Sequence, residues 1–95
     1  MPLHKEYESE HVLAYHHTKP HWPVHIVVVP KKHIVSFVTL SKEDEPILLE
    51  LIEVLKTLAA KVEQKHGAAR ILTNLGKYQD SKHLHFHISF GEPTM

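Results

Sequence analysis

The sequence predicts an α+β fold, an antiparallel sheet of about five strands with one long helix packed on it. Three observations predict it. Residues 24–29 are β-branched throughout apart from His25, as in a buried central strand. Between Ser41 and Gly67 the apolar residues recur with the period of a helix. Near the C-terminus, His83-Leu84-His85-Phe86-His87-Ile88-Ser89-Phe90 alternates polar and apolar without a break, as a strand with two unlike faces does. The connections are too short for parallel crossovers, so the strands pair antiparallel.

Taken in chain order, Val12-Leu13-Ala14-Tyr15 is the first clear apolar run, ended by His16-His17-Thr18 and the turn-forming Lys19-Pro20. Tyr7 and its neighbours are placed as its partner strand. The run over residues 24–29 stops at Pro30, which has no N–H for a sheet ladder. Ser41 is the expected helix N-cap, with Glu43, Asp44 and Glu45 in the first turn where the helix dipole favours acids. Pro46 is tolerated that early, and Gly67, after Lys65 and His66, is the stop. Apolar residues such as Ile47, Leu51, Ile52, Leu55, Leu58 and Val62 span an arc of roughly 160°, wider than a minimal core stripe. The excess is expected to reach a second subunit. Residues 69–73 and 83–90 are the last strands. With no repeat, low-complexity segment or linker, residues 1–95 read as one domain.

Composition narrows the function. Lys+Arg and Asp+Glu are both 11, so no global field recruits nucleic acid or an acidic membrane, and an anionic ligand needs a local site. No cysteine is present, which excludes disulfides, thiolate metal sites and thiol nucleophiles. No apolar run approaches a membrane span, and the first residues carry no signal-peptide core. A cytoplasmic protein is expected. Eleven histidines, not in tandem, are the abnormal figure. An imidazole can bind phosphate as a cation, attack it as a neutral nucleophile, or ligate a metal.

His83, His85 and His87 lie on one face of the last strand, with neighbours about 6.7 Å apart, while Leu84, Phe86, Ile88 and Phe90 face the helix. A solvated strand that happens to carry histidines would not repeat one uncommon residue three times. Two chemistries use such a row. Alternate histidines on a strand suit zinc or copper. They also suit phosphate transfer, with one ring attacking phosphorus and its neighbours holding oxygens and the leaving group.

The pattern His-φ-His-φ-His-φ, with φ apolar, resembles the signature of the histidine-triad (HIT) nucleotide hydrolases and transferases. Pro20-His21-Trp22-Pro23-Val24-His25 resembles that family's proline-rich turn leading to a supporting histidine, and Val27-Val28-Val29-Pro30-Lys31-Lys32-His33 its V-x-P-K-x-H segment. Asn74 and Gln79, the latter four residues before His83, also fall where the family has them. The resemblance implies that His85 is the nucleophile, that His83 and His25 form a relay behind it, and that His87 binds phosphate near the departing group. It implies a substrate-binding set of Asn74 on the nucleotide side, Gln79 at the phosphate, Asp80, His17 and Tyr15. It implies a homodimer acting on a small nucleotide, most similar to the Hint-type cleavage of nucleoside phosphoramidates. No cofactor is expected, and no metal either, since an imidazole nucleophile requires no Lewis acid and no obvious carboxylate ligand accompanies the row.

The chain also departs from the pattern. His17 stands where an acidic residue usually meets the ribose, and Asp80 where a small hydroxyl residue is common. Almost nothing precedes the first strand to wall a base pocket. The rivals to a nucleotide hydrolase are a histidine-based metal-binding protein and a non-catalytic nucleotide-binding module. Lys31, Lys32 and His33 are given a structural role, and His4, His11, His21 and His66 the surface.

Overall fold

The strand candidates of the sequence all contribute strands in the computed structural model, which describes residues 4–93. The strands are β1 (His4–Glu8), β2 (Val12–His16), β3 (Val24–Pro30), β4 (Arg70–Leu72) and β5 (Phe86–Phe90), and one helix, α1 (Glu45–His66), lies between β3 and β4. All strand pairs are antiparallel, in the order β1-β2-β3-β5-β4. The expected strand around Tyr7 is therefore the edge strand β1, and residues 69–73 supply the opposite edge, β4.

Period-two alternation decides which face meets the helix. Val12 and Ala14 of β2, Ile26 and Val28 of β3, and Phe86 and Ile88 of β5 are buried against Leu51, Val54, Leu55, Leu58 and Val62 of α1. Each Val, Leu, Ile or Phe among them contributes about 1.5–3 kcal/mol before conformational entropy is set against it. The alternate residues Leu13, Tyr15, Val27 and Val29 occupy the other face, which no helix covers. Ile52, at the edge of the apolar arc of α1, stays 42 % exposed, and Leu49, outside that arc, is 64 % exposed.

Two boundaries differ from the sequence-based expectation. Ser41 does not cap the α-helix directly but opens a 3-10 turn, Lys42–Asp44, and α1 starts at Glu45 with Pro46 in its first turn. Asp44 is the reason. Its carboxylate accepts hydrogen bonds from the backbone N–H and hydroxyl of Ser41, both at 3.1 Å, and from Lys32 Nζ at 2.6 Å. That fixes an extra turn and clamps the exit of β3 to the helix. Gly67 ends α1 as expected, with φ 92° and its N–H bonded to Glu63 O.

The second boundary matters more. β5 begins at Phe86, so His83 and His85 precede the ladder rather than belonging to it. Pro30 ends β3 opposite this point, and the chain before Phe86 turns to a different partner, Leu84 N–H bonding Ile34 O at 2.5 Å. Leu84 nonetheless stays buried, so the inward and outward alternation survives the loss of the ladder. At the far edge Glu50 of α1 holds the β1–β2 hairpin by accepting from Ser9 and from the backbone N–H of His11, and its Oε1 lies 2.9 Å from His11 Nδ1. His11 is thus a tether and not a free surface residue. Among the described residues no helix is long and apolar enough to cross a membrane.

Candidate active site

The uncovered face of the sheet carries two adjoining cavities. The first, about 470 Å³, has an apolar floor of Leu13, Tyr15, Val27 and Val29 and a wall of His83, His85 and His87, with His17, Thr18, Asp80 and Ser81 around it. The second, about 500 Å³, is bounded by the turn carrying Lys19, His21 and Trp22 and the loop carrying Asn74, Lys77 and Tyr78. His17, Asp80 and His87 line both. All three triad histidines therefore share one cavity, as the alternation requires.

Their hydrogen bonds set the tautomer of His85 apart from those of His83 and His87. Nδ1 of His85 lies 2.8 Å from the carbonyl of His83. A carbonyl only accepts, so Nδ1 holds the proton and Nε2 of neutral His85 is a free lone pair. Thr73 Oγ1 donates to His85 O at 2.7 Å and fixes that peptide where no ladder does. Nδ1 of His25 accepts the backbone N–H of His21 at 3.0 Å. The proton of His25 is therefore on Nε2, 2.7 Å from Nδ1 of His87. It follows that neutral His87 keeps its proton on Nε2, as a donor. One ring offers a lone pair and the next an N–H.

This corrects the relay expected from the sequence. His25 is the partner of His87, not of His83. Register is the cause: β3 and β5 align His25 with Ser89 and Val27 with His87, so His25 is diagonal to His87 on the same face. His83 lies four residues further up, before the β5 ladder begins. Its Nε2 donates instead to Pro30 O at 2.9 Å and Lys32 O at 3.2 Å, tying the triad segment to the end of β3.

The site holds its central pair uncharged. His25 and His87 are only 5 % and 8 % exposed. Burial pushes His87 down to about 4, with His85 and His17 adding to it and Asp80 opposing. Burial also takes His25 to about 4, followed by the charges of His17, His87 and His21. The His21 N–H aimed at His25 Nδ1 reinforces this, since a cationic His25 would need a proton there. Burial and the neighbouring His85 lower His17 as well.

Other expectations are redistributed. His17 stacks on His25 at 4.5 Å between centroids and 20° between planes, so it belongs to the histidine cluster as much as to a ligand pocket. Tyr15 and Asp80 lie at the cavity as expected. Asn74, just after β4, lines the second cavity and not the apolar-floored one. Gln79 lines neither. It is buried, and its side-chain nitrogen donates to Val35 O at 2.5 Å, so it anchors the loop from below. His21, exposed as expected, also supplies a backbone donor and part of the second cavity.

Trp22, Arg70 and Thr73 were not singled out from the sequence. The Trp22 ring meets His25 edge-on at 4.8 Å and covers it, while Arg70 lies 5.7 Å from the Trp22 ring centre. Arg70 also donates to Ser89 Oγ at 3.0 Å and Gly91 O at 2.5 Å. Gly91 has φ +98°, and a Cβ there would fall 2.8 Å from Pro23, so a glycine lets the Trp22 turn close onto β5. The lone tryptophan between two prolines was the available signal for this cover. Among the described residues, no three or more His, Cys, Asp or Glu side chains converge as a metal would need. The ring nitrogens address carbonyls and one another instead.

A sheet with one uncovered face and a histidine row of mixed tautomers defines a histidine-triad domain. The comparisons agree: the model of the HIT domain matches residues 1–93, and the chain belongs to that family. An uncharacterised HIT-like protein of Helicobacter pylori is 31 % identical over 94 residues, which cover 97 % of this chain and 88 % of that protein. The crystal structure of a HIT family hydrolase from Legionella pneumophila superposes with TM-score 0.84 at 26 % identity, covering 97 % of this chain and 84 % of that one. A hypothetical histidine triad nucleotide-binding protein from Sulfolobus tokodaii gives 0.81 at 29 % identity, over 96 % of this chain and 62 % of the other.

Proposed function

We propose that the protein hydrolyses nucleoside 5′-phosphoramidates or related nucleotide phosphate bonds through a covalent nucleotidyl-His85. The observation that carries this is the opposite protonation of His85 and His87 on one cavity wall. His85 Nε2 attacks phosphorus as a neutral nucleophile, and the bond to the leaving group breaks. His87 Nε2–H faces the phosphoryl group and the departing atom and supports the negative charge that develops there. The leaving nitrogen takes one proton from water in the open second cavity. Water then attacks the nucleotidyl-imidazole, releases one proton, and frees His85. The apolar floor of Leu13, Tyr15, Val27 and Val29 suits the flat face of a base. Likeness to a HIT family hydrolase and to a hypothetical histidine triad nucleotide-binding protein supports the class.

Mass spectrometry after quenching a reaction with an activated adenylate is the direct test. A nucleotidyl adduct on His85, absent in His85→Ala, is the expected result. Nucleotide binding without any adduct in the wild type would leave a binding module instead. The assembly we propose is a homodimer. β4 is a sheet edge with Ile71 51 % exposed, and α1 leaves Leu49 and Ile52 in water. Sedimentation at micromolar concentration should give about twice the chain mass, and a clean monomer would refute it.

A further inference from the structure

His85 lines only the first cavity, whereas His87 lines both. Phosphorus attacked by His85 must therefore expel its leaving group past His87, into the second cavity. The side chains there are not neutral. Lys19 and Lys77 line the second cavity alone, both are exposed, and neither has an ion-pair partner among the described residues. Trp22 and Tyr78 add ring faces to the walls, Tyr78 being 79 % exposed. Asp80 is the single acid in that lining, and it stands on the wall shared with the first cavity, at the phosphorus end.

From this placement we infer that the second cavity selects leaving groups that carry a negative charge, a carboxylate or a phosphate, held between Lys19 and Lys77. The inference rests on the proposed hydrolysis and adds to it the chemistry of the departing half. An amine bearing a second ammonium group would meet two cations and is disfavoured. Exposed pairs are screened, so each lysine is worth only a few-fold and the two together about five- to tenfold in kcat/KM. The preference should shrink toward unity at molar salt, where the screening length is about 3 Å.

The test compares adenosine 5′-phosphoramidates of β-alanine, of β-alaninamide, of ethylenediamine and of phosphoethanolamine. These differ in charge at the far end of a similar chain. The expected order of kcat/KM places both anionic substrates above the neutral amide, and the amide above the ammonium. Which anion leads identifies carboxylate or phosphate as the better fit. In Lys19→Gln/Lys77→Gln the ratio of β-alanine to β-alaninamide substrate should fall toward one. Cleavage of all four with equal efficiency, or fastest with the ammonium, overturns the inference and leaves the hydrolase reading intact. An unchanged ratio in the double variant also overturns it. If none of the four is cleaved this inference falls, and if in addition no nucleotidyl adduct forms on His85 the hydrolase reading falls with it.

Discussion

His85 and His87 are the same side chain two residues apart, yet the protein uses them in opposite tautomers. The difference lies in the backbone each stands on. His85 belongs to a segment outside the sheet, and its Nδ1 turns back to the His83 carbonyl. His87 belongs to β5, where the neighbouring strand brings a second imidazole, His25, to its Nδ1. A carbonyl partner forces a lone pair outward; an N–H partner forces a proton outward. An uninterrupted strand would have exposed three equivalent rings, so the break before Phe86 is what makes the row asymmetric.

Removing the imidazole partner of His87 should damage this contrast most. In His25→Ala nothing donates to His87 Nδ1, and the ring is free to take the other tautomer, with a lone pair facing the substrate. A fall in kcat of ~10²-fold with little change in KM is expected, as for a lost acid–base helper. His25→Gln can still place an N–H near His87 Nδ1 and should recover part of the loss, whereas a ring that merely filled space would gain nothing from it. Steady-state kinetics of both variants decide the matter. Equal kcat in wild type and His25→Ala would reduce His25 to a packed core residue.

The contrast also marks where sequence reading stops. Alternation over residues 83–90 told which side chains share a face, because side-chain direction depends only on the period. It could not tell which histidine meets His25, because that depends on register between β3 and β5, and the residues of one strand do not encode the offset of another. The helix was readable from its period, Ser41 and Gly67, while the extra turn at its start depended on Lys32, remote in sequence, reaching Asp44. Gln79 was placed correctly before the triad, but its side chain's direction depends on the Val35 carbonyl, which no local pattern reveals. His17, which stands where an acidic residue usually meets the ribose, also stacks on His25, a contact no local pattern reveals.

The other half of the contrast gives a smaller effect. His85 is steadied from two sides, by its own ring on the His83 carbonyl and by Thr73 Oγ1 on the His85 carbonyl. Thr73 follows directly after β4, whose ladder with β5 runs only as far as Leu72 opposite His87. Its hydroxyl thus continues, by side chain, the support that backbone pairing no longer provides. Thr73→Val keeps the shape and removes the donor. Because the site is only partly buried, water can replace some of what is lost, and the stability cost should be about 1 kcal/mol. The peptide of His85 then has more freedom, and attack geometry is sensitive to small displacements of the nucleophile. A fall in kcat of about two- to fivefold is expected, with KM nearly unchanged and Thr73→Ser restoring the rate. If Thr73→Val matches the wild type in kcat, the carbonyl of His83 alone is enough to hold the nucleophile. If Thr73→Ser is as slow as Thr73→Val, the methyl group and not the hydroxyl is what matters at this position.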